Sequence, residues 1–264
     1  MVIRCAGPTS SRSRAPWKRS SAALPSAAAP VSRGVFAQTY QYAGDRVRSG
    51  AAVAVALGGE FVAEIATSTG TEPTTSTATV TRTDGNVLLE LDGRPALEVF
   101  SEFQGRETLR ELDNEATAKV ALGVEFQAPA ARSDALTPYV VRSPFALDTA
   151  RGGLVMAAPL PEGIRIVFHL RSIRAAVDGA EQAARALARR LHGREIRLVL
   201  GFECSARTVP LLGKQEAARE QALVQQALAP DAEWLGMLAW GEVAPYGSQA
   251  TYYNFTYPML ALAE

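Results

Sequence analysis

Cysteine and histidine are nearly absent from this 264-residue chain, which has two of each. Cys5 and Cys204 lie in unrelated contexts, so neither a disulfide framework nor a spaced set of zinc ligands can be built from them. Such cysteine usage fits a reducing cytoplasm. Net charge is lacking as well: Lys+Arg and Asp+Glu stand at 27 each, and no overall field draws nucleic acid or an anionic lipid surface to the protein. Long apolar runs are missing too. Residues 51–57 and 234–240 fall far short of the roughly 20 residues a membrane helix needs. The expectation is a cytoplasmic chain without nucleic-acid or membrane partners, whose 47% hydrophobic content suffices for a sizeable core.

The first 33 residues contain no Asp or Glu and no apolar periodicity, only a mixture dominated by Arg, Ser, Ala and Pro. They read as a disordered tail. An acid-poor, Arg- and Ser-rich start also resembles an organellar transit peptide, but Pro8, Pro16 and Pro25 break the amphipathic helix that reading needs. A continuous apolar segment of the secretory type does not follow the first basic residues.

From Val35 the texture becomes β-like: VFAQTY, AAVAVAL, FVAEIATS, ATVTRT and VLLEL, punctuated by Gly58-Gly59 and Asp84-Gly85-Asn86. Asp92-Gly93 then predicts a turn, and Pro95 the start of a helix carrying Ala96, Leu97, Val99 and Phe100. A charged helix is expected from Glu107 to Val120, and strands over residues 139–142, 154–158 and 164–170. Ile173, Val177, Ala180, Ala184, Leu187 and Leu191 repeat at helical spacing and predict a helix over 172–191. A strand over 195–202, a helix over 211–229 and strands over 234–240 and 251–257 complete the pattern. The fold class is therefore α+β (mixed α/β), with a mixed or largely antiparallel sheet covered by two long helices and an adjoining β-rich segment. The expected division is a tail over 1–33, a β-rich unit over 34–92 and a second unit over 93–264.

Six pieces in order, DGRPALEVF, VRSPFAL, LPEGIRIVF, FECSARTVPLLGKQE, WLGMLAWGEVAPYG and YYNFT, make residues 92–256 similar to the FIST C domain. The β-rich run before Asp92 resembles the tail of a FIST N domain, most of which is absent here, so a truncated chain is expected. The resemblance implies an intracellular sensory module that binds a small ligand such as an amino acid and serves a signalling output. No transmitter, kinase, cyclase or F-box pattern accompanies it, so the output is expected on a separate signalling protein. Some family members bind haem and sense nitric oxide.

Chemistry is expected first in the loop Cys204, Ser205, Ala206, Arg207, which follows a strand and precedes a helix, where N–H groups favour anions. Arg207 can grip a ligand carboxylate bidentately or form a structural ion pair with Glu216 or Glu242. In a helix Glu216 faces nearly the same way as Leu212 and Leu223, which predicts it to be the inward partner supporting Arg207. Glu242 ends an apolar strand beside Gly241 and either meets a ligand ammonium or caps its own loop. Asn254 and Thr256 share a face of the last expected strand, lining a pocket or pairing across the sheet. Arg142, within VRSPFAL, is placed with Glu216 and Thr256 among the supporting residues. Tyr253 stands where many family members carry His. A haem would need an axial ligand, for which His169 is the residue in view, whereas His192 beside Gly193 reads as a helix C-terminus. An enzyme reading would use Cys204 as nucleophile, but no base accompanies it, and a cysteine after a buried strand more often acts as a small apolar residue.

Overall fold

The computed structural model describes residues 40–105, 119–125, 138–246 and 249–264. The expected tail, most of the VFAQTY strand and the charged helix over 107–118 lie outside these residues. Val120, expected to end that helix, instead opens a strand. In chain order the elements are β1 (Gln41–Ala43), β2 (Arg46–Arg48), β3 (Val62–Ser68), β4 (Thr71–Asp84), β5 (Val87–Leu91), β6 (Arg94–Pro95), α1 (Ala96–Gln104), β7 (Val120–Val124) and β8 (Val140–Arg142). Then follow β9 (Pro144–Asp148), β10 (Gly153–Met156), β11 (Arg165–Arg171), α2 (Ile173–Arg190), β12 (Ile196–Cys204), a π-helical turn (Thr208–Leu212), α3 (Gly213–Leu228), β13 (Glu233–Ala239), β14 (Glu242–Tyr246), β15 (Gln249–Tyr253) and β16 (Tyr257–Ala263).

Mixed α+β architecture results, with strands in two principal sheets. The larger has the order β8-β7-β11-β4-β5-β10-β9, with β6 also paired to β5, and every neighbouring pair is antiparallel. The smaller has the order β13-β12-β16-β3, and only β12 and β13 run parallel, as a crossover through α3 requires. Two short hairpins, β1-β2 and β14-β15, form two-stranded sheets of their own.

The local reasons are legible. Thr-rich β4 is long enough to serve the larger sheet on both sides, and its Pro73, which cannot donate to the ladder, sits where the register against β11 shifts between Val167 and His169. Asp92 and Gly93 both adopt positive φ, 50° and 75°, as a tight β5-β6 turn demands. The Ser172 hydroxyl accepts from Ala175 N at 3.0 Å and caps α2, whose buried Ala176, Ala180, Ala183 and Ala184 let it lie close to its neighbours.

Two apolar cores follow. One joins α1 to the larger sheet through Leu88, Phe100, Leu122, Leu154 and Phe168; the other joins α2 and α3 to the smaller through Leu187, Val199, Val224 and Met259. Each fully buried Leu or Phe contributes about 2–3 kcal/mol by area removed from water.

Two expectations need correction. The AAVAVAL run forms no strand: Val53 and Val55 are exposed, because no apolar surface lies over them to bury a run that does not alternate. The strand expected over 251–257 is interrupted. It is the end of β15, a loop at 254–256 and the start of β16, because Phe255 takes φ of 60°, incompatible with an extended chain. The β-rich segment adjoins the rest through strand pairing: β3 pairs with β16, β4 with β11 and β5 with β10.

Candidate functional site

The two sheets are tied together at a seam of three short links. Thr69 and Gly70 carry the chain from β3 in the smaller sheet to β4 in the larger, residues 205–207 follow β12, and residues 254–256 join β15 to β16. Backbone bonds lock the links to both sheets: Cys204 N donates to Thr256 O at 2.9 Å, Ser205 N to Ala239 O at 2.8 Å, and Asn254 N to Val141 O at 3.1 Å. Phe255, fully buried at a left-handed φ that a bulky residue adopts only under constraint, is covered by the Arg171 guanidinium 3.7 Å from its ring centroid. Arg171 Nη2 also donates to Ala206 O at 2.6 Å, so one side chain clamps two links.

Arg207 lies at the centre of the seam, fully buried. Its Nη2 donates to Glu220 Oε1 and to Ala176 O (3.1 Å), its Nη1 to Phe255 O (3.3 Å), and Glu203 Oε1 lies 3.7 Å from Nε. Burial opposes the charge, but Glu220 and Glu203 outweigh it and hold the guanidinium pKa above its ordinary value. The close approach requires Gly70: a Cβ there would overlap Arg207 Nη1, and its φ is 59°. Glu203 accepts from Gln221 Nε2 at 2.9 Å, and burial first of all pushes its pKa up to about 8, against the pull of Arg207.

The inward carboxylate of α3 is thus Glu220, and the expected Arg207–Glu216 pair is corrected. Glu216 lies nearer the surface and pairs with Arg219 at 3.0 Å. A π-helical turn precedes α3, with Leu212 N donating to Arg207 O five residues back. Glu216 and Glu220 stand four residues apart on nearly one face, and the buried length of that stripe runs through Glu220, Val224 and Leu228, leaving Glu216 in the first turn nearer the surface.

Glu242, also fully buried, accepts at Oε2 from Thr256 Oγ1 (2.7 Å) and Thr256 N (3.3 Å), so it closes the loop beside it. Asn254 reaches the other way: Oδ1 accepts from Ser143 N at 3.1 Å, and Nδ2 donates to Tyr252 Oη at 3.2 Å. Arg142, at the end of β8, is buried, with Nη2 3.4 Å from Thr251 Oγ1 and its guanidinium carbon 5.4 Å from the Tyr252 ring centroid. Burial pulls its pKa down to about 10, and Tyr252 and Tyr253 offset only part of that. Cys204 is buried against Ala121, Val141, Ala206 and Phe255, an apolar setting.

Comparison with family models finds a FIST C domain over residues 96–245, more than half of the chain, and a FIST N domain over residues 29–94. The chain belongs to the FIST family. FIST domains are small-ligand sensory domains in signal transduction. No curated protein and no solved structure matches the chain. Among the described residues no helix is long and apolar enough to cross a membrane, and no group of three or more His, Cys, Asp or Glu is placed to hold a metal ion.

Haem does not fit at His169. Nδ1 is engaged with Thr71 Oγ1 at 3.0 Å, Tyr139 stands edge-on at 4.8 Å, and Nε2 abuts Gly123 so closely that even a Cβ there would overlap it. Iron would have to occupy that space.

Of the site residues named from sequence, the FIST seam brings together Cys204, Ser205, Arg207, Glu242, Asn254, Thr256 and Arg142, and leaves out Glu216 and His169. Missed altogether were Glu220, Gly70 and Phe255. Glu220 had a readable signal, its four-residue spacing to Val224 and Leu228. Gly70 and Phe255 had none, since each matters through backbone geometry and a distant side chain.

Proposed function

We propose that this chain is a cytoplasmic sensory module that binds a small carboxylic acid, an amino acid or a relative, at the seam between its sheets and signals to a separate output protein. The observation that supports this reading is the seam itself. Buried polar side chains from β8, β14 and the 254–256 loop converge there on backbone that belongs to both sheets. A ligand bound among them contacts the larger sheet through Arg142 and Ser143 and the smaller through Ser205 and Thr256. Only a ligand with different affinity for two arrangements can move an equilibrium between them, and a hinge region shared by two cores is where such a difference arises. The buried thiol of Cys204 agrees with a reducing compartment.

A thermal-shift screen of the purified chain against amino acids and small carboxylic acids tests this. A subset of acids should raise the melting temperature in a saturable manner. A flat response across the panel would overturn the reading.

A further inference from the structure

Two buried arginines flank the seam, and their surroundings differ in kind. Arg207 has Glu220 and Glu203 around it, together with two carbonyl oxygens. Arg142 is 4% exposed and faces no carboxylate among the described residues: its one hydrogen bond is the 3.4 Å contact to Thr251 Oγ1, and buried Nε and Nη1 have no acceptor there. The Tyr252 ring faces it, and Tyr253 is near enough to act on its charge. Guanidinium stays charged at any physiological pH, so a buried one without a counter-ion calls for an anion.

From this geometry we infer that Arg142 is the residue that takes the ligand's carboxylate, with Thr251, Tyr252 and Asn254 completing the subsite. This rests on the small-ligand reading above and specifies its chemistry. Nη2 carries two hydrogens and gives one to Thr251, so one edge of the guanidinium keeps two N–H groups, the second Nη2 hydrogen beside that of Nε or Nη1, which is the arrangement a planar carboxylate meets bidentately. Thr251 and Tyr252, the side chains in contact with the guanidinium, are only half-buried and reach solvent themselves. Asn254 holds the Tyr252 hydroxyl by its amide and the Ser143 backbone by its carbonyl, and this fixes the wall opposite Arg142. A single cation with hydroxyl and phenol neighbours suits a carboxylate. Phosphate, with more charge to neutralise, is better matched by several cations or a helix N-terminus. Occupation of the subsite would join β8 of the larger sheet to the β15 end of the 254–256 link, and so bear directly on the seam.

The experiment compares amino acids with their α-amides, and acetate and succinate with acetamide and succinamide, by calorimetric titration of the full chain. Inorganic phosphate is included as a competitor. Acids should bind and amides should not, and Arg142→Gln should weaken acid binding by about tenfold or more, with Arg142→Lys falling between. On the wild type, phenylglyoxal labelling of the Arg142 peptide, read by mass spectrometry, should slow when a binding acid is present; this arm holds even where a variant fails to fold. Acids that bind Arg142→Gln with unchanged affinity, or that leave Arg142 labelling unaffected, would overturn the inference and leave the sensory reading standing. Phosphate binding more tightly than every acid would overturn the carboxylate assignment. Binding by neither acids nor amides would remove the sensory reading and this inference together.

Discussion

Arg207 Nη2 and Glu220 Oε1 are bonded to each other with both side chains fully buried, one on the loop after β12 and the other on α3. The pair pins the helical layer to the seam, since the same guanidinium also bonds to Ala176 O of α2 and Phe255 O.

Breaking such a pair from one side strands a buried charge. Arg207→Ala and Glu220→Ala should each lose about 3–5 kcal/mol in urea unfolding. The double replacement Arg207→Met with Glu220→Leu should cost much less than the sum of the two single changes. Additive costs would show that the pair is not coupled.

Glu203 makes stability fall as pH rises. Its folded pKa is raised from 4.5 to about 8, so the folded chain holds this proton more tightly than the unfolded chain, and the resulting stabilisation is full below about 4.5 and lost as pH climbs through 8. Melting temperatures taken from about pH 6 to about pH 9 should decline. Glu203→Gln should flatten the decline, and an unchanged slope in that variant would place the titrating group elsewhere.

His169 acts in the opposite direction. Burial lowers its pKa from 6.5 to about 4, so the folded ring stays neutral while the unfolded chain takes up a proton. Its contribution is present above 6.5 and lost as pH falls toward 4, amounting to about 3 kcal/mol at most. An NMR titration should show the His169 ring neutral at pH 5; a midpoint near 6.5 would contradict its burial.

Glycine positions separate close approach from simple turns. At Gly70 and Gly123 an added Cβ would overlap Arg207 Nη1 and His169 Nε2, whereas at Gly163 it would meet nothing within 4 Å. Gly70→Ala and Gly123→Ala should each cost about 1–3 kcal/mol or more in chemical denaturation. For Gly163→Ala the cost should be about 1 kcal/mol, from its positive φ of 81° alone.

Much of the fold was legible because its elements announce themselves locally. The stripe from Val177 to Leu187 and the Ser172 cap mark α2, and the apolar run Ile166, Val167, Phe168 marks β11. What could not be read was the seam, because its determinants are non-local: Phe255 breaks an apparently continuous strand through backbone geometry imposed by Arg171 and Arg207. Reading α3 as a straight helix from Leu212 chose Glu216. The buried length of the same stripe begins one turn on, at Glu220, which burial in three dimensions alone reveals. Arg142 was named as a support. Its lack of a described carboxylate partner is visible only in three dimensions.

Hydrogen–deuterium exchange of the full chain with and without a binding acid tests the account most directly, because it locates the ligand without any substitution. Protection should appear in peptides covering 140–143, 203–208 and 251–256, the strands and links that meet at the seam. Protection confined to other regions, with these peptides unchanged, would contradict ligand binding at this site.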